Sequence, residues 1–305
     1  MKDSSQYLMR SLMFVPAHNE RLMNSASKSN ADVLLLDIED SVQPVSNKEI
    51  ARKNIIQYVK DGKFRNHLVF PRINDRESGQ LLKDIIELTI PGITGFMYPK
   101  SYSGQDIYFI DKLLDTIEYE KDIPAGTYKL IPLIETTAAV LNAQEICQAS
   151  ERVVAIAFGC EDFIADLEGI HDHEGQSIYT PRAMIAMAAR ANNVIPIDTV
   201  HIRVHDLDDL ERNLIVAKNL GFEGMLVLNP KELPLVHKYF SPTEKEVLEA
   251  EEMLRLAKEA EKGGKGVAVI NNRFIGPPMV ITAKRIIEKH SKIINKNEKT
   301  CYTWR

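Results

Sequence analysis

Four apolar runs in this 305-residue chain end in charged side chains: Asp37-Ile38-Glu39-Asp40, Arg72-Ile73-Asn74, Glu135, and Glu161-Asp162 just past Gly159. A carboxylate closing a buried run must be paired, bind a metal or titrate upward, because an isolated charge there is costly. Glu135 and Asp162 make the best pair for a metal. Oxygen donors suit Mg2+ or Mn2+, and two protein carboxylates leave positions for water and for a substrate with adjacent oxygens. The competing reading makes both of them carboxylates facing the positive ends of helix dipoles. Arg72 can clamp a substrate carboxylate or pair with Asp37, Glu39 or Asp40, and the two uses are compatible. That acidic cluster is too dense to join the ion directly, so Asp37, Glu39 and Asp40 are expected to accept hydrogen bonds from metal-bound waters.

Other candidates carry less. Lys100 would need desolvation to act as an imine-forming nucleophile, and so many neighbouring acids favour the charged ammonium. His171 and His173 flank Asp172 with a spacing that suits either a metal or a solvated turn. Cys160 abuts the acidic pair but has no histidine at motif spacing, which argues against a nucleophile.

Convergence of the four endings requires elements that open on one face. Near-continuous apolar runs over residues 12–16, 33–38, 67–74, 95–100, 129–135, 153–159, 199–204 and 224–229 read as buried strands. Helical periodicity separates them over 47–60, 78–88, 107–119, 138–150, 181–192 and 207–220. Thr180 is placed to cap the fifth of these, with Pro181 at its first position. The alternation predicts an α/β fold, a (β/α)8 TIM barrel, in which every strand's carboxyl end opens on the same mouth. An open doubly wound sheet is the alternative, but the first strand is followed by Ala17-His18-Asn19 and lacks a glycine-rich phosphate loop. The barrel is expected to span 1–240. A C-terminal helical appendage follows over 241–291, as a lid or an arm to a neighbouring subunit, and a loose tail over 292–305.

Composition narrows the class. Net charge is −5 with both signs interspersed, which predicts no nucleic-acid partner. Apolar runs are far shorter than the roughly 20 residues of a membrane span, so no membrane partner is expected. Three cysteines without paired spacing and a polar start point to a reducing, cytoplasmic setting.

Taken in order, several stretches resemble the citrate lyase β-subunit/malyl-CoA lyase family, metal-dependent carbon–carbon lyases on a (β/α)8 barrel. They are Ser11-Leu12-Met13-Phe14-Val15-Pro16, Asp37-Ile38-Glu39-Asp40-Ser41-Val42 with Pro44, Lys48 and Ala51-Arg52, then Arg72-Ile73-Asn74, Pro99-Lys100, Ile134-Glu135-Thr136, Phe158-Gly159-Cys160-Glu161-Asp162, Arg182, and Ile197-Asp198-Thr199. The resemblance implies that Glu135 and Asp162 bind Mg2+ and that Arg72 contacts the acyl or oxo-acid oxygens. It puts Pro16, Lys48 and Arg52 toward the nucleotide arm of a CoA thioester, and backbone amides of Gly159, Cys160 and Glu161 on the substrate carboxylate. It further implies cleavage or formation of a 3-hydroxyacyl thioester such as malyl-, citramalyl- or citryl-CoA, in a homotrimer or homohexamer.

Two departures qualify the resemblance. Asn229-Pro230-Lys231-Glu232 stands where the family has a His-Pro-x-Gln-like motif, and Gly276 stands where its appendage offers an acid/base aspartate. Gly276 cannot move a proton, and Asn272, Arg273 and Glu232 are the nearest groups in sequence. Two alternatives follow: a class II pyruvate-type aldolase working without CoA, and a non-catalytic paralogue that binds metal and oxo acid.

Overall fold

The fold is described by a computed structural model covering residues 4–172, 174–262, 268–270 and 273–302. Eight parallel strands close into a barrel in chain order: β1 (Ser11–Pro16), β2 (Val33–Asp37), β3 (Leu68–Arg72), β4 (Gly95–Tyr98), β5 (Lys129–Ile134), β6 (Ala155–Phe158), β7 (Ile195–Asp198) and β8 (Gly224–Val227). Closure is made by β8 pairing with β1, Leu12 opposite Leu226. Around it run α1 (Glu20–Ala26), α2 (Ser46–Lys60), α3 (Leu81–Leu88), α4 (Gly104–Glu120), α5 (Thr137–Leu141), α6 (Ala143–Gln148), α7 (Cys160–Leu167), α8 (Gln176–Ala191), α9 (Leu207–Leu220) and α10 (Leu233–Phe240). None of the described helices is long and apolar enough to cross a membrane.

Side chains alternate across a strand, so one parity fills the barrel and the other meets the helices. The central cluster contains Val33 and Leu35, Ile131 and Leu133, Ala155 and Ala157, Ile195 and Ile197, all buried. Continuing each series by two residues gives Asp37, Glu135, Gly159 and Thr199. The rule that packs the core therefore delivers these residues to the barrel mouth.

Three elements differ from expectation. The seventh strand lies at Ile195–Asp198, not 199–204. Pro196 looks like a breaker there, but its φ suits an extended strand; it stands opposite Ile156, and its carbonyl accepts the Glu223 N–H at 3.0 Å. Burial outweighs β-branched propensity: Ile197 is fully buried whereas Ile202 is 42% exposed. Helix α8 starts five residues before Pro181, because the Asp172 carboxylate accepts from the Gln176 and Ser177 N–H groups and caps it from outside. The segment expected as one helix over 138–150 is two short ones that meet at Asn142.

By its contacts the chain divides into residues 1–237 and 238–305, within α10 rather than after Phe240. In the second unit α11 (Glu244–Lys262) begins with a capping box, Thr243 and Glu246 bonding each other's N–H groups. A two-stranded antiparallel ribbon follows, β9 (Ala268–Ile270) and β10 (Arg273–Ile275), and then α12 (Pro277–Tyr302). The expected loose tail from 292 is helical through Tyr302. Ile293 and Ile294 continue the apolar spacing of Ile286 and Ile287, and Lys292 pairs with Glu288 one turn back at 2.8 Å. The Gly276 carbonyl accepts from the Met279 N–H at 3.0 Å, so this residue caps α12. Asn272 and His173 lie outside the described residues.

Candidate functional site

At the carboxyl ends of the strands a cavity of about 410 Å3 opens, and its wall includes Phe14, Pro16, Asp37, Arg72, Glu135, Gly159, Cys160, Glu161 and Asp162. The four charged endings read from the sequence thus meet at one place. Leu133, Leu226, Leu228 and Val200 supply its apolar side.

Arg72 forms a fork with Asp37, Nε to Oδ1 and Nη2 to Oδ2, both at 2.7 Å. Its Nη1 lies 3.0 Å from Glu39 and 3.5 Å from Asp40, and the guanidinium sits 4.9 Å from the centre of the Phe14 ring. Burial works against ionising Asp37, yet the Arg72 charge and hydrogen bonds, with the N–H groups of Glu39 and Ser41, hold its carboxyl below the usual range. Glu39 fares differently. Burial pushes it up to about 8 against the charge of Arg72, and the charges of Asp40, Glu135 and Asp37 add to the rise. Both of its carboxylate oxygens are buried without a hydrogen-bond partner.

Glu135 is 3% exposed, and its Oε1 accepts the Lys100 backbone N–H at 2.6 Å. Lys100 takes φ +49°, a left-handed conformation that is uncommon for a side-chain-bearing residue, and this conformation carries that N–H. On the other side the carboxylate needs Gly159, where a Cβ would lie 2.8 Å from the Glu135 Cβ and 3.1 Å from Oε2. Burial raises Glu135 to about 7, and the negative charge of Asp162 adds to the rise. Asp162 stands in the first turn of α7. Among the described residues no lysine, arginine or histidine pairs with either carboxylate. Two converging acids with all-oxygen donors and no cation of their own fit a hard divalent ion and its waters.

The neighbours of this pair are occupied differently from what the sequence suggested. Cys160 is fully buried, its thiol pushed by burial up to about 12, which suits packing and not attack. Its N–H donates to Thr199 Oγ1 at 3.2 Å. Glu161 Oε1 lies 3.6 Å from Cys160 Sγ and 2.6 Å from His171 Nδ1, the latter a contact that nine intervening residues conceal in the sequence. Lys100 Nζ bonds Asp75 at 2.9 Å, which raises its pKa above the ordinary lysine value and keeps the ammonium charged, so imine chemistry is disfavoured.

Lys48 and Arg52, expected toward a nucleotide arm, have internal partners. Lys48 is 6% exposed, and its Nζ donates to the Ile38 and Glu39 carbonyls, both at 3.1 Å, and to Asn74 Oδ1. Arg52 is 3% exposed and bound to Asp84 at 2.8 Å and Glu87 at 3.3 Å. Both sit on the core-facing side of α2 with every charge answered internally. Asp84 in turn accepts the N–H of Asn74 at 2.9 Å and its side-chain amide at 2.6 Å. Neither Asn74 nor Asp84 announces this in sequence, since an Asn at a strand end and an Asp in a helix are commonplace. At the eighth strand Glu232 is 1% exposed and raised by burial to about 7, with one oxygen on the Leu228 N–H at 3.3 Å and the other unpartnered.

Comparison with known proteins places these observations. Residues 10–230 match the family model described as HpcH/HpaI aldolase/citrate lyase. The chain is 30% identical over 294 residues to citrate lyase subunit beta of Leuconostoc mesenteroides subsp. cremoris, covering 96% of each chain. It is 28% identical to the L-malyl-CoA/beta-methylmalyl-CoA lyase of Rhodobacter capsulatus, over 92% of this chain and 94% of that one. Among solved structures, the citrate lyase beta subunit of M. tuberculosis complexed with oxaloacetate and magnesium is 26% identical with a TM-score of 0.64, over 79% of this chain and 100% of that one.

Proposed function

The chain belongs to the HpcH/HpaI aldolase/citrate lyase family, and from that premise we propose that it is a Mg2+-dependent carbon–carbon lyase that cleaves or forms a 3-hydroxyacyl thioester, with Glu135 and Asp162 as the metal ligands. The observation that carries this reading is the buried Glu135–Asp162 pair, without a cation of its own, beside the Arg72 fork at the barrel mouth. The metal, when bound, supplies Lewis-acid polarisation of the substrate's hydroxyl or carbonyl oxygen. The relatives' named substrates and ligands, malyl-CoA in one and oxaloacetate in another, support an acid carried as a thioester.

This chain's residues would divide the rest of the work. At the start of α7 the N–H groups of Gly159 and Cys160 are bonded to the Ile134 carbonyl and Thr199 Oγ1, so a substrate carboxylate would take those of Glu161 and Asp162, at an end of a helix suited to negative charge. Arg72, held in place by Asp37, presents its remaining N–H to the oxygen that gains charge. In the cleavage direction the 3-hydroxyl loses its proton and the C2–C3 bond breaks. A 2-oxo acid departs, and the thioester enolate takes a proton at carbon. Asp37, Glu39 and Asp40 hold Arg72 and would accept hydrogen bonds from the waters of a bound ion. A homotrimer or homohexamer, as in the family, is part of this proposal.

The test is direct. Glu135→Ala and Asp162→Ala should each abolish Mg2+-dependent turnover in acetyl-CoA condensation with glyoxylate, pyruvate or oxaloacetate, while circular dichroism keeps the barrel's signature. Full activity in both variants refutes the site. Turnover of pyruvate with free aldehydes, and none with thioesters, would favour an aldolase working without CoA.

A further inference from the structure

The carbinol carbon of the cleaved thioester carries a hydroxyl, a carboxylate and a third substituent: hydrogen, an alkyl group, or the carboxymethyl group that yields a dicarboxylate oxo acid. Resting on the reading above, we propose that this chain takes substrates whose third substituent is hydrogen or a short alkyl group. Its oxo acid is then a 2-oxo monocarboxylate of the glyoxylate or pyruvate type.

The charges at the mouth exclude the alternative. Asp37, Glu135, Glu161 and Asp162 line the cavity, against the single cation Arg72 among the described lining residues. A divalent ion leaves that set near −1. One carboxylate is met by the ion and the α7 amides, but a second has no place.

Arg72 cannot supply that place. Of its five N–H groups, Nε–H and one on Nη2 are spent on Asp37, and the two on Nη1 face Glu39 and Asp40. The single remaining N–H can reach one oxygen but cannot form a bidentate clamp. The other nearby cations are also engaged, Lys48 with two carbonyls and Asn74, Arg52 with Asp84, Lys100 with Asp75. The rest of the wall is mainly apolar, with Leu133, Val200, Leu226 and Leu228 on one side, and its hydroxyls, those of Ser25 and Ser41, carry no positive charge. A methyl group gains from burial there, whereas a carboxylate would lose its hydration to carbon atoms without compensation.

Calorimetry on the full chain with saturating Mg2+ tests this, with pyruvate, freshly prepared oxaloacetate and 2-oxoglutarate as probes. Pyruvate should bind at least about 100-fold more tightly than either dicarboxylate, since apolar pockets already reject a single added hydroxyl by about that factor. Leu228→Arg places a cation on the wall at a residue 42% exposed, where folding is little disturbed, and should narrow the ratio by about tenfold or more. Oxaloacetate binding as tightly as pyruvate in the native chain overturns the inference while leaving the lyase reading intact. Binding of none of the acids, or binding unaffected by Glu135→Ala, overturns the reading itself.

Discussion

Glu135→Gln should stabilise the metal-free protein at alkaline pH and at the same time remove its response to Mg2+. Burial and the neighbouring Asp162 raise Glu135 from the ordinary 4.5 to about 7. A carboxyl raised on folding binds more protons in the folded state, so the cost of its ionisation is absent below pH 4.5, grows as pH rises toward 7 and is complete above it. At about 1.4 kcal/mol per pH unit that cost is of the order of 3 kcal/mol. Glu39, raised to about 8, likewise lowers stability as pH rises above 4.5, but it does so in native chain and variant alike and cancels in their difference. Glutamine mimics the protonated carboxyl and can still accept the Lys100 N–H. The variant should therefore match the native chain near pH 4.5 and exceed it by about 1–3 kcal/mol at pH 8 in EDTA, roughly 2–10 °C in Tm for a protein of this size. Adding Mg2+ at pH 8 should raise the Tm of the native chain and leave the variant unmoved. Thermal denaturation over pH 4.5–8, with EDTA or Mg2+, reads all four arms. A variant less stable than the native chain at pH 8 in EDTA, or a difference that does not change with pH, refutes the reasoning.

Two further predictions follow from contacts. Arg52→Ala strands the buried Asp84 and should cost about 3–5 kcal/mol in denaturant unfolding; a KM for thioester that rises with stability unchanged would restore Arg52 to the substrate. Gly159→Ala presses a methyl group to 2.8 Å from Glu135 and should weaken Mg2+ by about 10–100-fold, as displaced supports of a ligand do, with unaltered affinity counting against this packing.

The barrel was legible because burial on both faces leaves near-continuous apolar runs, and a period of two is short enough to survive in four or five residues. Helix α9 was expected and found at Leu207–Leu220. Pro196 hid β7, since a missing donor reads as a break although the carbonyl still pairs. The cap expected of Thr180 failed, since α8 takes its cap from Asp172, four residues before the helix starts. The acidic endings could be foreseen to converge because parity and strand direction are local properties. The fate of Lys48 and Arg52 could not, because their partners lie 26 and 32 residues away on β3's extension and α3.

Those two cations explain how so acidic a mouth keeps its shape. Arg52 fixes Asp84, Asp84 fixes Asn74 through two hydrogen bonds, and Lys48 ties Asn74 to the Ile38 and Glu39 carbonyls. The chain of contacts runs from α3 and α2 to the ends of β3 and β2, the two strands that carry Arg72 and Asp37. Like charges at the mouth favour splaying these ends, and Arg72 joins them through Asp37, Glu39 and Asp40. A second tie beneath it, satisfied and shielded from salt, holds the strand ends that carry Asp37, Glu39 and Arg72 together. The acids at the mouth are thus held in place by a rigid frame while burial keeps Glu39 and Glu135 partly protonated, and a divalent ion binding Glu135 and Asp162 would displace the Glu135 proton without first having to assemble the site.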